Sequence, residues 1–182
     1  EQAEQITPGS DGLLVLEHWQ GNRTPWVDPK SRGVIRGLTL SHTPAHMFRA
    51  IMEGVVYGTK VIIDRMEQEN FAINEIIACG GATQSDLWMQ IHADVTGKPI
   101  TIPEEQQAVS LGSGILATVA AGIYSDMKDA ANHMVRVAKT IQPNTKSTAI
   151  YEEYVRQYEA TYEALKDESK RLVDYVNAGA EQ

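Results

Sequence analysis

The sequence predicts an α/β fold in which helices pack on a mixed sheet. Apolar runs at 13–16 and 73–78 have the length and composition of buried strands. Between and after them, longer segments place apolar residues at helical spacing, and alternating strand and helix patterns are typical of layered α/β structures. Three or four candidate strands are few for 182 residues. The sheet is therefore expected to be incomplete within this chain.

The first elements follow from proline, glycine and capping residues. A loop rich in proline and glycine covers 20–33 between the strand at 13–16 and a second strand at 34–40. Thr43 is a candidate N-cap, and Pro44 suits the first position of a helix. This long helix is expected to bury one face, with small residues that allow close packing on the sheet. The face carries Met47, Ile51, Val55 and Ile62, and the small residues are Ala50, Gly54 and Gly58.

The later elements are a helix that starts at 83–86 and runs to about Val95, and a long closing helix over 148–176. Between them the sequence predicts a strand at 98–102, a small-residue helix at 108–121, an amphipathic helix at 126–139 and a break at Pro143-Asn144. The closing helix carries a stripe of apolar residues that includes five tyrosines. This stripe either packs against its own domain, the favoured hypothesis, or allows two copies to dimerise.

Composition and charge exclude several classes of protein. The chain is 42% hydrophobic and 22% charged, as expected for a globular domain rather than a disordered one. Its net charge of -8 argues against sequence-independent binding to nucleic acid, which needs clustered cations. There is a single cysteine and no apolar run long enough to cross a membrane. We therefore expect a cytoplasmic protein without nucleic-acid or membrane partners.

The glycine pair between the strand at 73–78 and the next helix is the first candidate site. Glycine lets a backbone approach a flat or anionic ligand closely, and a helix N-terminus adds unpaired N–H groups. A nucleotide would suit such a turn, although Gly80 and Gly81 could equally serve a tight turn alone. The segment does not match the glycine patterns of dinucleotide-binding or P-loop proteins.

Other candidates favour structural roles. Arg23 and Trp26 could contact an acidic ligand, but a salt bridge for Arg23 and a hydrophobic lid for Trp26 are the favoured interpretation. His42 and His46 have helical spacing but no third ligand, so no metal site is predicted. Cys79 is expected to be a small hydrophobe at a buried strand end. The remaining histidines, His18, His92 and His133, are expected to be packing or surface residues.

A longer pattern resembles the FGGY family of carbohydrate kinases. The segments GVIRGL at 33–38 and HMFRAIME at 46–53, separated by seven residues, fit the C-terminal signature of that family at every position. Three further segments occur in the family's order: GNRTP at 21–25, GGA at 80–82 and VSLGSG at 109–114. The resemblance implies a ribonuclease H-like, actin-like ATPase fold. It also implies that Gly33, Gly37, Ala50 and Glu53 hold strand and helix together.

The resemblance implies that 1–182 is the C-terminal part of the second domain of such a kinase, with its motifs in 9–138 and a closing helix at 147–178. Members transfer the γ-phosphoryl group of ATP, with Mg²⁺, to a hydroxyl of a sugar or polyol. The resemblance places the adenosine end of ATP against Gly80, Gly81, Ala82 and Ser85. The catalytic aspartate and the sugar-binding domain are expected outside this chain, which is therefore expected to be inactive alone. A non-catalytic nucleotide-binding, regulatory or dimerising module is the alternative.

Overall fold

The structure is a computed structural model that describes residues 2–180, and these form five α-helices and five β-strands. The helices are α1 (Pro44–Gln68), α2 (Asp86–Thr96), α3 (Ala108–Ala120), α4 (Met127–Met134) and α5 (Thr145–Ala180). The strands are β1 (Leu14–Leu16), β2 (Val34–Arg36), β3 (Ile76–Ile77), β4 (Ile100–Pro103) and β5 (Val137–Ile141). Short 3₁₀ turns occupy Ala3–Gln5, Ser10–Gly12 and Gly81–Gln84.

The strands form two small sheets. β1 pairs antiparallel with β2, so that Leu14 lies opposite Arg36. In the second sheet, β4 pairs parallel with β3 and antiparallel with β5. The second sheet is therefore mixed, as the sequence predicts. Both sheets are small, and β2 and β3 are shorter than the strands predicted at 34–40 and 73–78.

The predicted helix over 126–139 is wrong in its second half. α4 ends at Met134, and the residues from Val137 onward form β5 instead. Val135 and Val137 are β-branched and favour extended backbone. In addition, the exposed edge of β4 offers hydrogen-bonding groups that β5 satisfies, with Thr101 opposite Thr140. A long-range pairing therefore decides the structure of this segment.

The start of α1 is as predicted. Thr43 is the N-cap, Pro44 is the first helical residue, and the His46 side chain takes the place of the usual acidic group in a capping box. The predicted buried face is wrong in detail, because Met47, Ile51, Val55 and Ile62 are half-buried. The fully buried residues include Ala50, Val56, Tyr57 and Val61. Because α1 contacts β1, α2 and α5, its burial extends around more of the helix than one stripe.

The first part of α5 completes the main hydrophobic core. Tyr151, Val155, Tyr158 and Tyr162 are buried there against residues of β1, α1 and α2. This confirms that most of the apolar stripe packs against its own domain. Tyr175, near the end of the helix, is 80% exposed. No helix in the described part of the chain combines the length and apolar content that a bilayer crossing requires.

Candidate nucleotide site and its supporting frame

The glycine turn connects β3 to α2 through a 3₁₀ turn. Gly80 has φ +85° and ψ −170°, a backbone conformation that is essentially restricted to glycine. The buried Thr83 stabilises the turn by donating from its backbone N, at 3.1 Å, and from its Oγ1, at 2.7 Å, to the carbonyl oxygen of Gly80. The turn is therefore held from its inner side.

The outer side of the turn is open. A Cβ atom added at Gly80 or Gly81 would meet no heavy atom of the described residues within 4 Å, and Gly81 and Ala82 are exposed. Bare backbone with free space in front of it fits the close approach of a flat ligand. The two predicted glycines and Ala82 therefore lie together on an accessible surface.

Ser85 lies at the end of this turn as the N-cap of α2. Its Oγ accepts a hydrogen bond from the backbone N of Trp88 at 3.2 Å. A serine hydroxyl can accept and donate at once, so the cap leaves the Oγ proton free to donate elsewhere. Asp86, the first helical residue, forms an exposed ion pair with Lys139 of β5. The sequence-predicted site residues are thus one continuous feature, with a cation beside it.

Cys79 does not occupy the predicted position at a buried strand end. Its side chain is exposed. β3 ends at Ile77, and the chain leaves the sheet before Cys79. The prediction failed because β3 pairs with β4 at Ile76 and Ile77 and ends there, so Cys79 lies beyond the paired strand.

Glu53 of the signature is buried in the frame that supports the fold. Its side chain is 0% exposed and accepts hydrogen bonds from the Gly9 backbone N (3.0 Å), Ser10 Oγ (2.8 Å), Arg49 Nε (2.8 Å) and the Tyr151 hydroxyl (2.7 Å). Burial and the nearby Glu53 carboxylate raise the pKa of Tyr151, which keeps the hydroxyl a donor. Glu53 therefore joins the N-terminal segment, α1 and α5, the packing role that the sequence predicts for it.

Two signature glycines also serve packing. A Cβ at Gly37 would lie 2.3 Å from the carbonyl oxygen of Gly12, and one at Gly33 would lie 2.1 Å from the Trp19 ring. Real Cβ atoms do not approach other atoms so closely. These glycines contrast with Gly80 and Gly81, whose surroundings are empty.

The loop at 20–33 behaves in part as predicted. Trp26 is half-buried and stacks on Tyr162 with ring centroids 4.1 Å apart, as a lid on the core. Arg23 is exposed and has no ion-pair partner among the described residues, so its predicted salt bridge is wrong. His46 caps α1 and contacts Asp11 Oδ2 at 3.2 Å. Within residues 2–180, no group of three or more His, Cys, Asp or Glu side chains could hold a metal ion.

Comparison with known proteins decides the family. The model of the "FGGY family of carbohydrate kinases, C-terminal domain" matches residues 1–121. The chain belongs to this family. A ribulokinase from Halalkalibacterium halodurans is 37% identical over an alignment that covers 94% of this chain and 32% of the relative. The FGGY chain thus spans about a third of the length of the curated relatives it matches.

Solved structures agree. The xylulose kinase from Lactobacillus acidophilus superimposes with a TM-score of 0.86 at 28% identity, over 94% of this FGGY chain and 35% of that chain. A Plasmodium falciparum glycerol kinase solved with ADP has a TM-score of 0.74 at 20% identity, over 88% of this chain and 32% of that chain, a likeness of fold alone. The predicted actin-like ATPase fold is therefore confirmed.

Proposed function

We propose that this chain is the C-terminal, ATP-binding part of a carbohydrate kinase that transfers the γ-phosphoryl group of ATP to a hydroxyl of a sugar or polyol. Membership of the FGGY family supports the reaction class. The observation that carries the ATP site is the open backbone at Gly80 and Gly81, which no side chain of the chain itself fills. The adenosine end of ATP lies against this turn and Ala82, and Ser85 Oγ donates a hydrogen bond to it.

Catalysis needs positioned phosphates, Mg²⁺ and a base for the attacking hydroxyl. The described residues do not fit a magnesium site, so we place the metal with the ATP phosphates and assign it no ligand here. Asp28, Asp64 and Asp94 are each occupied by hydrogen bonds or an ion pair within the fold. None of them is assigned as the base. In this proposal the catalytic aspartate and the sugar-binding domain belong to other parts of a longer polypeptide.

Helix α3 supports the proposal of a larger enzyme. Its sequence is strongly apolar, yet within α3, all of which the structure describes, Ile115 alone is buried. Val109 is 87% exposed and Leu116 is 60% exposed. Exposed apolar surface of this extent is typical of an interface. We place the remaining part of the kinase against this helix. The 182 residues alone therefore bind nucleotide but do not phosphorylate sugar. We place the complete kinase in the cytoplasm.

Titration of the 182-residue chain with ADP and Mg²⁺, followed by amide NMR, tests the site. We expect shifts concentrated between Gly80 and Ser85. Gly81→Asp places a side chain and a negative charge in the open space and should weaken binding at least about tenfold. Gly179→Asp is the matched control, because a Cβ at Gly179 also meets no atom of the described residues within 4 Å. Equal affinity of the folded Gly81→Asp variant and the control would refute the site.

A chimeric enzyme tests the reaction. Residues 1–182 would replace the matching third of the Halalkalibacterium ribulokinase, and phosphorylation of ribulose and xylulose would be measured, since the relatives' names specify these sugars. We expect ATP-dependent activity that Gly81→Asp reduces and Gly179→Asp does not. A folded chimera that binds sugar and ADP without turnover would contradict the proposal.

A further inference from the structure

A cluster of three titratable side chains, of which His18 and Tyr158 are buried and Glu17 is half-buried, joins the end of β1 to α5. The Tyr158 hydroxyl lies 2.9 Å from Glu17 Oε1 and 3.2 Å from His18 Nε2. His18 is 1% exposed and Tyr158 is fully buried. An added Cβ at Gly58 of α1 would lie 2.4 Å from Glu17 Oε1, so the glycine leaves room for this carboxyl group. The nucleotide site does not use the cluster.

The hydrogen bonds around His18 fix its protonation. Trp26 donates its backbone N to Asn22 Oδ1 at 3.1 Å, which orients the amide so that Asn22 Nδ2 donates to His18 Nε2 at 3.0 Å. His18 Nε2 therefore carries a lone pair. The proton lies on Nδ1, which donates to Ser31 Oγ at 2.7 Å. His18 is the neutral Nδ1–H tautomer.

Tyr158 has a single hydroxyl proton for two possible acceptors. If Glu17 is ionised, Tyr158 donates to Glu17, and the buried Glu17 Oε2 has no hydrogen-bond donor among the described residues. A buried charged oxygen without a donor is costly. If Glu17 is protonated, its Oε1–H donates to the Tyr158 oxygen, and Tyr158 donates its own proton to the lone pair of His18 Nε2, which it shares with Asn22 Nδ2. The geometry therefore favours the protonated carboxyl.

The electrostatic surroundings also favour a protonated Glu17 and a neutral His18. Burial raises the pKa of Glu17 to about 7, although the hydrogen bonds from its own backbone and from Tyr158 oppose the change. Burial lowers the pKa of His18 to about 4, against the attraction of Asp28. The other groups facing the cluster are Tyr57 of α1, Tyr162 of α5, and Glu159 of α5, which is paired with Arg65 of α1 at 3.6 Å. In the free amino acids the proton would sit on histidine rather than glutamate, so folding reverses the order.

We propose that Glu17 keeps its proton in the folded protein at mildly acidic pH and that this proton holds β1 and the 17–33 segment to α5 through Tyr158 and neutral His18. As the pH rises through neutral, Glu17 loses its proton, Tyr158 turns its hydroxyl proton toward Glu17, and His18 Nε2 keeps Asn22 Nδ2 as its donor. The cluster is therefore a pH-sensitive contact between the 17–33 segment and α5.

Proton linkage gives the sign of the change in stability with pH. Glu17 ionises at its ordinary value of 4.5 in the unfolded chain but near 7 in the folded one. Its stabilising effect is therefore complete below 4.5 and is lost as pH rises toward 7, by about tenfold per pH unit in the unfolding constant. His18 acts oppositely, because its folded pKa is lowered from 6.5. Between about pH 4.5 and 6.5 the two effects cancel in the wild type.

Urea unfolding of the wild type and of Glu17→Gln at several pH values separates the effect of Glu17 on stability from that of His18. The ratio of the wild-type to the variant unfolding constant should rise about 80-fold between pH 4.5 and 7, because the full shift of 2.5 units is worth about 300-fold and the group is half titrated at each end of this interval. The ratio for Glu152→Gln, an exposed glutamate of α5, should stay constant within about twofold. A constant or falling ratio for Glu17→Gln overturns the proposal.

A measurement on the unmodified chain covers the case in which Glu17→Gln does not fold. The ¹³Cδ chemical shift of Glu17 would be followed by NMR while the pH is raised, together with the ring ¹⁵N shifts of His18. A Glu17 transition near pH 7 with an Nδ1–H tautomer of His18 supports the proposal, and a Glu17 transition near its ordinary value overturns it.

Discussion

The region around α1 and the first half of α5 differs from the region around α3 and the glycine turn in how much of each element the chain itself covers. In the first region Val56, Tyr57 and Tyr151 are 0% exposed. In the second, Val109 of α3 is 87% exposed, and the space in front of Gly81 is empty. Both regions carry segments that resemble the same kinase family.

This difference separates two kinds of motif residue. The motif residues of the first region are surrounded by atoms of the chain itself. A Cβ at Gly37 would collide with Gly12, and Glu53 accepts a hydrogen bond from Arg49. In the second region Gly80, Gly81 and Gly112 face open space, and a Cβ at Gly114 would make only an ordinary contact with Met134 at 3.7 Å. A motif residue whose surroundings are filled by its own fold supports structure, whereas one whose surroundings are empty is available to a ligand or to another part of the enzyme.

Glu53→Ala should produce the largest effect. It removes the acceptor of four hydrogen bonds and leaves the buried Arg49 guanidinium without its carboxylate. Breaking a buried ion pair from one side costs about 3–5 kcal/mol of unfolding free energy. Glu104→Ala in the second region, where the glutamate is exposed, should change stability by less than about 0.5 kcal/mol. Urea denaturation measures both, and similar effects for the two variants would contradict the division into regions.

Two leucines provide a matched test of apolar packing. Leu16 of β1 is 1% exposed, and Leu116 of α3 is 60% exposed. Leu16→Ala should destabilise the chain by about 2–5 kcal/mol, because it leaves a cavity in the main core. Leu116→Ala should be close to neutral in thermal or urea unfolding. A large loss for Leu116→Ala would show that α3 is packed in solution by something the structure lacks, such as a second copy.

The sequence predicts the elements whose signals are local. The cap at Thr43 and Pro44, the glycine turn before α2 and the break before α5 each depend on residues within one or two turns. These signals sufficed for the α/β class, and the signature added the family. The candidate site could be predicted only through the resemblance, since a glycine pair between strand and helix is equally consistent with a plain turn.

The features that sequence reasoning missed depend on distant partners. β5 forms because it pairs with β4, about 40 residues earlier. His18 contacts Tyr158, which is 140 positions away, and no local pattern marks that contact. The exposure of Cys79 follows from where β3 stops pairing rather than from the apolar run before it. Long-range pairing and burial, rather than propensity, decide these positions.

Replacing a mid-helix glycine by alanine should lower the stability of the chain in α1 and raise it in α3. A Cβ at Gly54 of α1 would lie 2.5 Å from the carbonyl oxygen of Val15, whereas one at Gly112 of α3 meets no atom within 4 Å. Gly54→Ala should cost about 2–3 kcal/mol through overpacking against β1. Gly112→Ala should stabilise the chain by about 0.4–1 kcal/mol, because alanine restricts the unfolded chain and favours helix. Equal signs in urea unfolding would contradict the comparison.

The smallest predicted changes in stability concern the two glycines of the turn, Gly80 and Gly81, which should differ from each other. Gly80 needs its positive φ, so Gly80→Ala should cost about 1–2 kcal/mol of stability. Gly81 has no such requirement and open space in front of it, so Gly81→Ala should change stability by less than about 0.5 kcal/mol. ADP titration of the same variants sharpens the comparison. If Gly81→Ala weakens binding while stability stays constant, the empty space belongs to the ligand; if binding is also unchanged, the nucleotide does not approach this part of the turn.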